Sequence, residues 1–187
     1  MFALVQDGSI IKYFSGDKGV TIGDVQYPQN IFTLWSEAEL NNVGLYTVVF
    51  DNNNKRDEAF YTNTNVSYAF ADGVVTASYG SATAKSLADV TDEDDNVTLG
   101  LKSQKKENIK QQASGLLIPT DWYVIKATDV ESYSVPSAIT TYRANVRTKS
   151  NDMEVLIDAC STVDELADLY VYTDGTRPLG EFPTLDI

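Results

Sequence analysis

The sequence predicts an α+β fold, mainly antiparallel β at its start and helical towards its end, and three observations carry that reading. Up to Gly80, short runs of β-branched and aromatic residues alternate with Gly, Asp and Asn turns. Over 81–115 large apolar groups thin out in favour of Ser, Thr, Asp, Lys and Gln. From 116 onward apolar residues recur at helical spacing. The expected organisation is a β-rich domain over 1–80, a polar linker with an exposed helix over 81–115, a small helical module over 116–172 and an arm over 173–187.

The elements follow in order. Strands are expected over 2–5 and 10–14, joined through Asp7-Gly8, a strong hairpin signal between two apolar runs. Gly16, Gly19 and Gly23 mark a loop that ends near Tyr27-Pro28. Ser36 and Glu39 have capping-box spacing, so a short helix starts there and stops near Gly44. A strand over 45–50 follows, then an Asp-Asn turn, then strands over 59–62, 66–71 and 74–79, the last two joined at Asp72-Gly73. The region after Gly80 reads as an extended linker followed by an exposed helix over 99–113, whose end docks through Ile109, Ala113, Leu116 and Leu117.

Thr120 and Asp121 suit the start of the next helix, on which Trp122 and Ile125 share a face. Pro136 opens a second helix carrying Ile139, Tyr142 and Val146 at i, i+3 and i+7, with Arg143 and Arg147 one turn apart beside them. A third helix is expected over 152–160, and a fourth, capped by Ser161 with Asp164, turns Val163, Leu166 and Tyr170 inward. The arm beyond 172, with Pro178 and Pro183, reads as irregular or extended.

Composition narrows the function. A 43% hydrophobic chain of 187 residues is long enough to hold a core. Its 27 acidic against 14 basic residues give a net charge of −13, which repels phosphate backbones and anionic bilayers, so neither nucleic acid nor membrane is expected as a partner. No run approaches the roughly 18 apolar residues of a membrane span, and the first 14 residues lack the pattern of a signal peptide, so a soluble protein made in a cytoplasm is expected. With no histidine, Ser–His and Cys–His pairs cannot be built. Cys160 is the single cysteine and shares a helical face with Met153, Leu156 and Ile157, as a buried thiol would.

Asp92, Asp94 and Asn96 resemble the start of a calcium loop, but Val97 and Ser103 stand where that loop needs glycine and a bidentate glutamate, so a solvated linker explains the run better. The glycines at 16, 19 and 23 match no phosphate loop. Arg143 and Arg147 suit an anion clamp or, more simply, pairs with surface acids and cover for Tyr142. Trp122 and Tyr123 suit a sugar platform or an interface anchor, although the helical spacing of Trp122 points to core packing. No catalytic residue, metal or cofactor is expected.

The stretch LLIPTDWYVIKATDVESYSVPSAITTYRANVR, from Leu116 to Arg147, resembles the C-terminal segment of small bacteriophage tail proteins, the tail-fibre and tail-fibre-assembly-associated group. The matching positions are Leu116, Leu117, Thr120, Asp121, Trp122, Lys126, Pro136, Tyr142, Arg143 and Arg147; Ile118-Pro119 departs from the leucine-alanine pair usual there. GDVQYPQNIFTLWSEAELNNVGLYTV, from Gly23 to Val48, is similar to the head of the same proteins. The resemblance implies a non-enzymatic virion protein of the tail, at the fibre, baseplate or adaptor region, assembled in the host bacterial cytoplasm. Its partners would be other phage tail proteins and further copies of itself. Trp122, Tyr123, Lys126, Tyr142, Arg143 and Arg147 would define the interaction module, with Leu116 and Leu117 docked against the Trp122 face. A tail-fibre assembly chaperone absent from the mature particle is the alternative. A carbohydrate-binding tail protein, resting on Tyr61, Tyr68 and Tyr79 as exposed aromatics, is another.

Overall fold

The computed structural model describes residues 1–64 and 66–185, and its chain forms two compact units, Met1–Thr83 and Ala84–Ile187. The fold is α+β, with the strands of its main sheet in the first unit and its long helices in the second.

In the first unit, β1 (Phe2–Gln6) and β2 (Ser9–Phe14) form the expected hairpin, with positive φ at both Asp7 and Gly8. The glycine-marked stretch after it is not a plain loop: β3 (Val20–Ile22) and β4 (Val25–Tyr27) pair antiparallel about Gly23, whose φ is +58°. A single turn, α1 (Ile31–Leu34), precedes α2 (Glu37–Asn42). Ser36 and Glu39 close the anticipated capping box on α2. Strands β5 (Leu45–Asp51), β6 (Tyr61–Thr62), β7 (Val66–Ala71) and β8 (Val74–Tyr79) follow.

The main sheet has the order β2-β1-β5-β8-β7, antiparallel except where β5 lies parallel to β8. It curls until its edge strands meet, with the Tyr13 and Tyr68 rings 4.5 Å apart. Alternation along β1 loads both of its faces. Ala3 and Val5 join Val48, Val75 and Ala77 in one core, while Leu4 joins Val20, Ile31, Leu40 and Leu45 in another. The aromatics expected on the surface are engaged instead: Tyr61 is buried beneath the Arg56 guanidinium, Tyr68 packs on the first core, and the Lys55 ammonium lies over Tyr79.

After β8 come the short strands β9 (Thr83–Ala84), β10 (Val90–Thr91) and β11 (Val97–Thr98), the last two in the second unit and forming a hairpin around the acidic run. Asp92 accepts hydrogen bonds from the backbone N–H groups of Asp94 and Asn96, which makes the run a turn that caps itself. The expected linker is folded onto a helix. Leu101 and Lys102, at the start of α3 (Leu101–Leu117), donate their N–H groups to the Ser86 and Leu87 carbonyls. Asp89 accepts from Gly100 at 2.7 Å, and any side chain at Gly100 would collide with the Ala88 carbonyl. Three of the otherwise free donors of the helix start are thereby satisfied.

The helix after the linker does not bridge or stand free. Leu101, Ile109 and Ala113 are buried, and α3 packs along α5 (Ser137–Ala159). Lys102 reaches the Asp158 carbonyl, Lys110 reaches Glu154, and Tyr142 reaches the Leu116 carbonyl, so the two helices run antiparallel. The two helices expected over 136–160 are one. Met153 and Ile157 continue the buried face of Ile139, Tyr142 and Val146, and no residue between them breaks the pattern. Cys160 closes that face, whereas Leu156, expected on it, is exposed; burial, with Glu165 nearby, pushes the Cys160 thiol pKa up. The capping box of α6 (Val163–Asp168) uses Thr162 with Glu165 rather than Ser161 with Asp164.

The expected arm is part of this core. Leu179 is fully buried, and Phe182 and Leu185 pack against Ala113, Tyr142 and Val146; residues 186 and 187 lie outside the described residues. Arg177 and Tyr172 both engage Glu181 and fasten the turn that brings the chain back.

Candidate functional site

The residues singled out between Leu116 and Arg147 converge where the end of α3 meets α4 (Asp121–Asp129) and the first half of α5. Arg143 is the hub. Its guanidinium, only 11% exposed, pairs with Asp121 at 2.7 Å and donates to the Leu117 carbonyl at 3.0 Å and to Thr120 Oγ1 at 2.6 Å. One side chain of α5 thereby holds the tight turn Ile118–Thr120 and the start of α4. All three contacts are made by Nη1, whose two N–H groups the acceptors share.

Thr120 does not cap α4 through its side chain. It is buried, and its hydroxyl donates back to the Leu117 carbonyl at 2.7 Å while accepting from Arg143. Pro119 sits inside the tight turn. Tyr142 is buried as expected and donates to the Leu116 carbonyl at 3.4 Å.

Trp122 goes the other way. The spacing that pointed to core packing places it 50% exposed, with Ile118 at 63% and Ile125 at 60%. Leu116 and Leu117 therefore dock on Ala113, Tyr142 and Val146 rather than against Trp122. No residue of α4 is buried. Ile118, Trp122 and Ile125, at i, i+4 and i+7, form an outward stripe, and Arg143 grips Asp121 at the start of the helix. The Trp122 indole lies against Tyr123, ring centroids 3.8 Å apart, and Lys126 extends over Trp122 and, at 4.3 Å, over Tyr133.

Beside this stripe runs a groove of about 490 Å³ with an apolar wall of Ala113, Leu117 and Ile118. Its charged rim is mostly closed on itself: Arg143 with Asp121, and Lys110 with Glu154 at 3.2 Å. Arg147 also lines the groove, yet its bond is to the Arg143 carbonyl of its own helix at 3.3 Å, and among the described residues no carboxylate pairs with it. The two arginines that the sequence suggested as a clamp thus have different roles, Arg143 as an internal strut and Arg147 as a surface cation.

Sequence reasoning missed Ile118 as a surface residue and missed the groove altogether. The spacing of Ile118 with Trp122 and Ile125 was the available signal; it marks an apolar stripe but not the direction in which the stripe faces. Among the described residues, no group of three or more His, Cys, Asp or Glu side chains lies close enough to hold a metal ion. No helix is long and apolar enough to cross a membrane, among the described residues. Comparison with protein-family models, with curated proteins and with solved structures found no match.

Proposed function

We propose that this chain is a non-enzymatic structural component of a tailed-bacteriophage tail, at the fibre, baseplate or adaptor region, working through protein–protein contacts. The observation that carries the contact reading is the outward apolar stripe of α4, held in place by the Arg143–Asp121 pair. A rimmed apolar patch with an aromatic at its centre is what interfaces present. The tail assignment is supported by the sequence resemblance over Gly23–Val48 and Leu116–Arg147. Mass spectrometry of density-purified virions of the encoding phage tests it. Peptides at stoichiometric abundance support a building block of the tail. Their absence from virions, with abundant protein in the infected-cell lysate, replaces that reading with the assembly chaperone.

A further inference from the structure

We propose that the groove between α3 and α5 is a binding site for a small carboxylic acid: a singly charged carboxylate on a compact aliphatic or aromatic body. The site stands apart from the protein contacts of the proposed function and does not rest on them.

Two helix faces form its walls. Lys110, Ala113, Ser114 and Leu117 fall at i, i+3, i+4 and i+7 on α3, and Arg143, Arg147, Ser150 and Glu154 at i, i+4, i+7 and i+11 on α5. Because the helices run antiparallel, the Lys110–Glu154 pair stands at one end and the Arg143–Asp121 pair at the other. From Lys110 to Leu117 the recess is about 10 Å long at 1.5 Å per residue. That length, with the volume of about 490 Å³, suits a small molecule.

Between the two pairs lies Ser150. The buried row of α5 is Ile139, Tyr142, Val146, Ser150, Met153 and Ile157, in which only Tyr142 and Ser150 carry a hydroxyl. Tyr142 donates its own to the Leu116 carbonyl. The Ser150 hydroxyl makes no hydrogen bond among the described residues, although the residue is only 7% exposed and lines the groove. Buried polar groups are otherwise nearly always bonded, and an alanine would fill the same place in the row without that cost. A hydroxyl left open towards a groove is a fitting for a polar atom that arrives with a ligand.

The sign of the ligand follows from the charges around that hydroxyl. Both acids of the lining are already matched, Asp121 by Arg143 and Glu154 by Lys110. Arg147 is left over. Its bond to the Arg143 carbonyl uses one N–H, and a guanidinium has five. Arg147 and Ser150, at i and i+3, are neighbours on the helix. A carboxylate meets a guanidinium through two parallel bonds and has lone pairs to spare for the hydroxyl. A doubly charged phosphate would stand against Asp121 and Glu154 in a chain already at −13, so a single negative charge is the better match. Ala113, Leu117 and Ile118 then call for an apolar body beside the charged head.

Backbone amide NMR of the full chain, titrated with hexanoate and with 4-phenylbutyrate to about 20 mM, tests the site. The expected result is saturable shifts at Ser114, Leu117, Arg147, Ser150 and Asn151, with dissociation constants of about 1 mM or below for ligands of this size. Hexanol lacks the charge and acetate lacks the body, so each is expected to bind at least about tenfold more weakly than hexanoate. Arg147→Gln is expected to weaken hexanoate by at least about tenfold and Ser150→Ala by at least about threefold. Lys18→Gln, in the first unit, is expected to leave it unchanged. Ser150→Ala removes an unpaired hydroxyl, so the urea midpoint is expected to hold or rise while affinity falls, a split that a purely structural serine would not give. Absence of shifts at these amides, hexanol binding as tightly as hexanoate, or affinity unchanged in both Arg147→Gln and Ser150→Ala overturns the site. Tighter binding of phenyl phosphate, or of an acetylated tripeptide ending in leucine, overturns the ligand class. Failure of every acid would leave the tail assignment standing, and absence of the chain from virions would leave the site standing.

Discussion

Replacing Arg143 by methionine tests the claim that one guanidinium holds α4 in place. Methionine keeps much of the stem's bulk and removes the donors to the Leu117 carbonyl, Thr120 Oγ1 and Asp121. Each hydrogen bond to a charged group contributes about 1.5–3 kcal/mol when lost alone, but the three contacts share the two N–H groups of Nη1 and do not add. Asp121 is 49% exposed and regains water, and the Leu117 carbonyl keeps the Thr120 hydroxyl at 2.7 Å. The poorly compensated loss is at Thr120 Oγ1, which is 1% exposed by residue and retains only its donor role. We therefore expect a cost of about 2–3 kcal/mol, below the roughly 3–5 for a fully buried pair that loses one partner. In a helical unit of about one hundred residues that lowers Tm by about 10 °C or more.

Urea unfolding followed by circular dichroism at 222 nm reads the helical unit, and Asp121→Asn completes a double-mutant cycle. Asp121→Asn alone is expected to cost only about 0.5 kcal/mol, as exposed pairs do, with a coupling of about 1 kcal/mol between the sites. A loss below about 0.5 kcal/mol for Arg143→Met, or equal losses for the two single changes, would refute the hub: the first makes the bonds dispensable, and the second makes the ion pair the whole effect.

The remaining predictions concern the rest of the fold. Leu179→Ala is expected to destabilise the helical unit by about 2–5 kcal/mol, as loss of a buried leucine does; a free arm would give no change in the urea midpoint. Gly44→Ala places a Cβ 2.8 Å from the Val5 carbonyl at φ +81°, so it is expected to cost at least about 2 kcal/mol, whereas Gly8→Ala, with open space around it at φ +74°, costs about 1. Equal midpoints for these two variants would count against the close approach of Gly44 to β1. Asp89 accepts the Gly100 N–H, and this bond, aided by Ser103, holds its pKa below the ordinary value of 3.8. Its contribution is therefore complete above that value and is lost as pH falls through the lower folded value. Asp89→Asn is expected to flatten the decline of the urea midpoint below about pH 4; an unchanged acid limb would exclude the role.

Local chemistry was legible wherever it is decided within a few residues. Asp7-Gly8 and Asp72-Gly73 make their turns with positive φ, and the Ser36–Glu39 box starts its helix, because these conformations depend on side chains adjacent to the backbone they satisfy. Periodicity likewise identified Ile139, Tyr142 and Val146 as a buried face. It did not reveal that the same face runs unbroken to Ile157, since only the length of α3 lying against it rewards a 23-residue helix.

The candidate site belongs to the second kind. Arg143, which pairs with Asp121 at the start of α4, is distant in sequence and is brought near by antiparallel packing of α3 and α5. The polar segment before α3 and the arm beyond Tyr172 looked unstructured because their partners are remote: Ser86 and Leu87 carbonyls meet the first turn of α3, and Leu179, Phe182 and Leu185 find pockets on the helical unit. From the sequence alone come the turns, the caps, the apolar stripes and a charge of −13. Which stripe is covered was decided only by the tertiary structure, because burial is a property of pairs of elements and a sequence displays one element at a time.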